Sequence, residues 1–174
     1  IMHLLKNGGR AAVVLPDGFL FGEGIKSRIK EKLLTECDLH TVVRLPNGVF
    51  NPYTGIKTNI LFFTKKPGAQ KPWTQKLWIY DLRTNKDFTL KTNPLRREHL
   101  DEFVALYRSG QRQLRQATWT PETPDGRWRC YSYDELTARD KTSLDVFWLK
   151  DKSLTDLDNL PEPEVIAEEI IENL

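Results

Sequence analysis

Phe50, Tyr53 and Lys57 fall within one short segment, Gly48-Val49-Phe50-Asn51-Pro52-Tyr53-Thr54-Gly55-Ile56-Lys57, and their types suit a flat, anionic ligand. An aromatic ring offers a face on which an extruded base can stack, worth roughly 1–3 kcal/mol on single-strand platforms. A lysine beside it can meet a phosphate. Ordinary core packing is the competing reading for both rings, because an apolar run, Ile60-Leu61-Phe62-Phe63, follows directly. That run has no polar face, the pattern of an inner strand covered on both sides. Asn-Pro and Thr-Gly interrupt regular structure before it, since proline fixes φ and lacks a donor while glycine admits positive φ. A loop carried by such a strand is held rigidly.

Asn51-Pro52-Tyr53 approaches the Asn/Asp/Ser-Pro-Pro-aromatic tetrad of amino-methylating enzymes. There, a polar side chain and a backbone carbonyl accept hydrogen bonds from the target amine. With one proline only, the tripeptide reads as a turn. Gly22-Glu23-Gly24 lacks the third glycine of a phosphate-cradling loop. His3, His40 and His99 have no cysteine or carboxylate companions at ligand spacing, so no metal is expected. Gly-x-Ser-x-Gly is absent. The segment therefore carries no self-contained catalytic centre. Arg108, Arg112, Arg115, Arg127 and Arg129 form a second basic candidate, against the alternative of a solvated surface.

The elements that must position these residues follow from periodicity and punctuation. Ala11–Leu15 reads as a strand ended by Pro16-Asp17-Gly18, and Leu39–Leu45 as a strand closed by Pro46-Asn47-Gly48. Between them a helix is expected over 24–36, with Ile25, Ile29 and Leu33 inward, Leu34 beside them, and Lys30 among the charges that fall mostly on the far face. Asn59–Thr64 and Leu77–Leu82 supply two more strands. Asn93-Pro94 suits a helix start, with Leu100, Phe103, Val104 and Tyr107 on one face. Residues 109–130 read as an irregular crossing. Ser132-Tyr133-Asp134-Glu135 fits a capping box, and a last helix is expected from about Pro163. Ile1–Arg10 reads as the end of a helix stopped by Gly8-Gly9, which suggests a piece of a longer protein. The expected fold is α/β, the tail of a doubly wound sheet finished by an antiparallel strand pair.

Bulk properties narrow the function classes. The 174 residues, 39% hydrophobic, suffice for one core with extensions. No run of about eighteen apolar residues occurs, so no membrane span is expected. Cys37 and Cys130 have no metal-type spacing and suit reduced thiols of a cytoplasmic protein. The net charge of +2 hides a split: residues 1–150 carry 25 Lys and Arg against 16 acids, whereas residues 151–174 carry one lysine against eight acids. A basic body favours a polyanion such as DNA, and an acidic tail favours contact with protein.

Gly9-Arg10-Ala11-Ala12-Val13-Val14-Leu15-Pro16, the Gly48–Lys65 segment and Leu144-Asp145-Val146-Phe147-Trp148-Leu149-Lys150-Asp151 together resemble the modification (M) subunit of type I restriction–modification systems. These subunits are adenine-specific DNA methyltransferases that use S-adenosylmethionine. The resemblance spans essentially the whole chain. It implies the C-terminal part of a Rossmann-like methyltransferase sheet with a helical C-terminal extension. The implied divisions are 1–92 for the catalytic-domain part, 93–160 for a helical and irregular extension, and 161–174 for the start of a helix that contacts other subunits. Phe50 matches the aromatic that faces the flipped adenine, with Tyr53 the second candidate and Lys57 a DNA contact.

The family's glycine-rich cofactor motif and its Asn-Pro-Pro-Phe tetrad do not occur here. No catalytic residue is therefore assigned, and the isolated chain is expected to be inactive. DNA, a specificity subunit and a restriction subunit are the implied partners. A non-catalytic DNA-binding or scaffolding module is the alternative from a different class.

Overall fold

The computed structural model describes residues 1–86 and 88–150. The chain runs β1 (Arg10–Pro16), α1 (Gly18–Phe21), α2 (Ile25–Glu36), β2 (Cys37–Arg44), β3 (Thr58–Lys65) and β4 (Lys76–Asp81), then α3 (Asp101–Tyr107), β5 (Trp128–Ser132) and α4 (Tyr133–Thr137). The five strands form one sheet in the order β1-β3-β2-β4-β5. β3 lies antiparallel between β1 and β2, β4 runs parallel to β2, and β5 closes antiparallel on β4. The α/β class is as expected, but the pairing is mostly antiparallel. β3 forms no terminal pair; it is inserted between two strands that point the same way.

That insertion sets the burial of β3. Leu61 and Phe63 are buried on one face, while Ile60 and Phe62 are only half-covered on the other, so the run is not sealed on both sides. The first face packs Leu20, Leu33, Leu34, Leu39, Leu77, Ile79, Leu136 and Leu144. The second packs Val43, Leu45, Tyr80, Phe103 and Trp128. Phe103 of α3 lies 5.4 Å from the Tyr80 ring and 6.0 Å from Phe62, which is how one short helix covers that face.

Several local expectations need correction. The helix at 25–36 forms with Leu33 and Leu34 buried as expected, but Lys30 is buried too, while Ile25 is 75% exposed and Ile29 is exposed. Leu33 and Leu34 pack with Leu20, Leu39, Leu136 and Leu144 from distant elements, and that contact turns the helix away from Ile25 and Ile29. Lys30 is turned inward, where its ammonium donates to the carbonyls of Leu20 (2.9 Å) and Lys141 (3.2 Å). Burial lowers its pKa. Asn93-Pro94 is no helix cap. A 3-10 turn at Arg97–Leu100 precedes α3, and the Arg96 N–H donates to His99 Nδ1 at 2.9 Å. Trp128–Ser132, at the end of the expected irregular stretch, is a strand because β4 offers an open edge and Trp128 becomes fully buried there. Ile1–Gly8 forms turns, not a helix end.

The Ser132 cap is as expected: Glu135 N–H donates to Ser132 Oγ at 3.2 Å, and the Ser132 N–H returns to Glu135 Oε2 at 2.6 Å. Both cysteines are free thiols, Cys37 buried. Among the described residues no helix is long and apolar enough to cross a membrane. The helix expected from Pro163 lies outside the described residues.

Three outcomes follow from the packing. Ser132→Ala removes one half of the capping box and should lower stability by about 1 kcal/mol in urea unfolding. His40 is buried beside Arg112 and Arg115, and desolvation with those charges lowers its pKa to about 3. The unfolded chain binds this proton near 6.5, so stability should fall as pH drops below 6.5 and level off near 3, by about 1.4 kcal/mol per pH unit between. His40→Asn should flatten that slope. Among the described residues β1 has a free strand edge, next to an apolar groove of about 180 Å³ lined by Ile1, Met2, Val13, Leu15, Leu33 and Leu61. Light scattering of the isolated chain should therefore show mass growing with concentration, and a clean monomer throughout would contradict this.

Candidate functional site

β1, β2 and β4 point the same way, so their carboxyl ends lie along one edge together with the start of β3. In open α/β sheets that edge is where ligands bind. The loop 46–57 between β2 and β3 rises from it and is fastened at both feet. At one foot, the Phe88 N–H donates to the Asn47 carbonyl (3.2 Å). Gly48 adopts φ +74° beside the Phe88 carbonyl, which an added Cβ would approach to 2.1 Å. At the other foot, the Asp17 N–H donates to the Lys57 carbonyl (2.8 Å), extending the β1–β3 ladder.

Within the loop, the Phe50 carbonyl accepts from the N–H groups of Tyr53 (2.9 Å) and Thr54 (3.1 Å), and Asn51 N–H donates to Gly48. The turn expected at Asn51-Pro52-Tyr53 is present, with a cis Asn51–Pro52 bond. Phe50 is half-buried and packs on the Tyr80–Phe103–Trp128 cluster. Tyr53 projects outward, 87% exposed, and Lys57 is exposed. The two rings thus do different things: one anchors the loop and the other stands free.

Beneath the loop lies a buried charge network that sequence reasoning missed. The Asp17 carboxylate accepts from Asn59 Nδ2 (2.9 Å) and Arg83 Nη1 (2.9 Å), and Arg44 Nη2 lies 3.8 Å away. Arg44 also donates to Asp145 Oδ1 and to the Val146 carbonyl. Arg44 and Arg83 are almost wholly buried, and Asn59 completely so. Among the described residues, Arg44 Nε, Arg83 Nη2 and Asn59 Oδ1 find no hydrogen-bond partner. The Phe147 ring lies over both guanidiniums, 4.1 Å from Arg44 Cζ and 5.1 Å from Arg83 Cζ. One signal could have pointed here: Val42-Val43-Arg44-Leu45 sets an arginine inside an apolar strand, and such a charge must be paired.

The arginine series is not brought together as a DNA-facing stripe. Arg112 pairs with Asp38 (2.9 Å), and Arg115 is buried, donating to the Tyr107 carbonyl (2.6 Å) and Thr41 Oγ1 (3.0 Å). Arg127 donates to the carbonyls of Asp81 and Thr84, and Arg129 lies over Trp119 at 3.7 Å. Four of the five are thus engaged in holding the far half of the sheet. Among the described residues no cluster of three or more His, Cys, Asp or Glu side chains could hold a metal ion.

This arrangement has relatives. The family model for N-6 DNA methylases matches residues 1–123. The methylase subunit of the type I restriction enzyme EcoKI, from Escherichia coli strain K12, is 39% identical over all of this chain and 37% of its own length. The EcoEI methylase subunit of Escherichia coli is 65% identical over 47% of this chain and 16% of its own length. The crystal structure of the EcoKI M protein superposes with a TM-score of 0.74 at 36% identity, over 99% of this chain and 39% of that one. A modification subunit of a putative type I restriction enzyme from Vibrio vulnificus gives 0.57 at 38% identity, over 77% of this chain and 25% of that one. The chain thus spans little more than a third of the length of the EcoKI methylase subunit. With the matched model covering well over half of its residues, the chain belongs to the N-6 DNA methylase family.

Proposed function

We propose that this chain forms the target-base side of a DNA methyltransferase that transfers a methyl group from S-adenosylmethionine to adenine N6. The observation that carries the reading is the loop 46–57, fastened at Asn47 and Lys57 on the carboxyl edge of the sheet and presenting Tyr53 free above an anchored Phe50. A flipped adenine would meet this wall, with Phe50 fixing its depth and Tyr53 offering an open ring face. Lys57 would hold a backbone phosphate. Methyl transfer to an amine depends on alignment more than on a strong base, which suits a wall without a histidine or carboxylate base.

The cofactor itself would be held elsewhere, because Gly22-Glu23-Gly24 is too short for a cradle and Gly8-Gly9 lies in a turn. The chain's own contribution is to orient the base. Residues 1–92 are read as the methyltransferase part, 93–160 as an extension and 161–174 as the approach to other subunits. A specificity subunit would read the sequence, a restriction subunit would be an optional partner, and the location would be cytoplasmic. The Rossmann-like character of the complete sheet belongs to the same reading.

Two measurements test this, and a third tests the buried charge network. Calorimetric titration of the 174-residue chain with S-adenosylmethionine should give no binding heat, and tight binding would overturn the division of labour. In the full-length enzyme, Tyr53→Ala and Phe50→Ala should each reduce methylation at least tenfold with cofactor affinity intact; unchanged methylation would remove that ring from the pocket. Asp17→Ala strips the shared partner from two buried guanidiniums and should cost about 3–5 kcal/mol in urea unfolding.

A further inference from the structure

Residues 143–150 cross the carboxyl edge and are fastened along their length. Leu144 N–H donates to Leu20, Val146 accepts from Arg44, Trp148 Nε1 donates to Gly126 (2.8 Å), and Lys150 accepts from Asn85 (3.0 Å). Val146 is in the core and Trp148 is half-buried. Phe147 between them is 61% exposed. Its ring nevertheless has a fixed seat over Arg44 and Arg83. Both guanidiniums lie near the same carboxylate, Asp17, and with 61% of Phe147 exposed much of its surface stays open to solvent.

The surroundings are cationic. Lys57, Lys86, Arg139 and Lys150 are exposed on the segments that converge here. The Lys57 carbonyl accepts from Asp17, Lys86 N–H donates to the Arg83 carbonyl, and Arg139 donates to the carbonyls of Ser143 and Asp145. The nearby acids Asp17 and Asp145 are engaged by the two arginines. A largely exposed ring seated on two guanidiniums, on an edge whose loops carry exposed lysines, is the chemistry that binds a base together with its phosphates. An apolar protein partner would need apolar neighbours around Phe147, and its flanking residues are turned inward.

We infer that Phe147, seated on Arg44 and Arg83, is a stacking platform for a DNA base outside the pocket formed by the loop 46–57. The inference rests on the DNA reading above. The seat removes ring mobility before the ligand arrives, so stacking costs little conformational entropy. The bound cations also draw electron density from the ring, which favours an electron-rich purine on the open face.

The test separates base stacking from charge attraction. Fluorescence anisotropy of the full-length subunit would compare a single-stranded purine-rich oligonucleotide with an abasic chain of the same length. The wild type should prefer the base-bearing chain, and Phe147→Ala should shrink that preference about fivefold or more without weakening the abasic chain. Phe147→Trp should keep the preference, and Phe147→Leu should not. An undiminished preference in Phe147→Ala, or full recovery with leucine, overturns the inference. Phe147→Ala also gives up the ring's contact with Arg44 and Arg83, so thermal melts should confirm that each variant is folded at the assay temperature. Methyl transfer to adenine is read separately. Its absence in the wild type would sink the proposed function, while the oligonucleotide comparison would still judge the platform.

Discussion

Arg44 sits at the end of the most buried strand and Arg83 just beyond β4, and neither guanidinium reaches water to any useful extent. A charge in such a place must be matched, since an uncompensated one costs several kcal/mol. Asp17 pairs directly with Arg83 and lies 3.8 Å from Arg44, whose hydrogen-bonded partner is Asp145, while its side chain also receives Asn59. The end of β1, the end of β2, the start of β3 and the turn after β4 are therefore tied through one carboxylate. Hydrophobic packing alone would let these strand ends splay, because their last residues lie at the rim of the core. The ion network fixes their mutual positions, and every feature of the carboxyl edge is hung on that frame.

The loop 46–57 and the strap 143–150 both depend on it. The loop returns to the sheet at Lys57, whose carbonyl is held by the backbone of Asp17 itself. The strap is drawn down by Arg44 through Asp145 and Val146. Two aromatic side chains, Tyr53 and Phe147, consequently stand exposed on segments whose backbones are pinned. An exposed aromatic on a rigid support differs from one on a wandering loop: its ring face is available without first being ordered.

The opposite half of the sheet shows why charge alone misleads. Arg112, Arg115, Arg127 and Arg129 make the sequence look strongly basic there, yet each has a structural occupation. Arg115 threads between Tyr107, Thr41 and His40, and its burial draws its own pKa down to about 10 while it helps keep His40 neutral. Lys57, Lys86 and Lys150, by contrast, are exposed on loops of the carboxyl edge, where the strands end.

Strand positions, the helix at 25–36, the Ser132 capping box and the turn at Asn51-Pro52-Tyr53 were legible in the chain, because each is governed by contacts within a few residues. The family segments were legible for the same reason. The rotation of α2, the inward turn of Lys30 and the fifth strand were not. Each was decided by a distant partner: the carbonyls of Leu20 and Lys141 for the lysine, the open edge of β4 for Trp128–Ser132. The division between Phe50 as anchor and Tyr53 as free ring belongs to the same class, since it depends on a cluster drawn from β2, β4, α3 and β5. Asp17, Arg44, Arg83 and Phe147 are spread over 130 residues of chain, and no local pattern marks them as one group. Local geometry was written in neighbouring residues; the pairing of buried charge was decided only when strand ends from across the chain met in a region that excludes water.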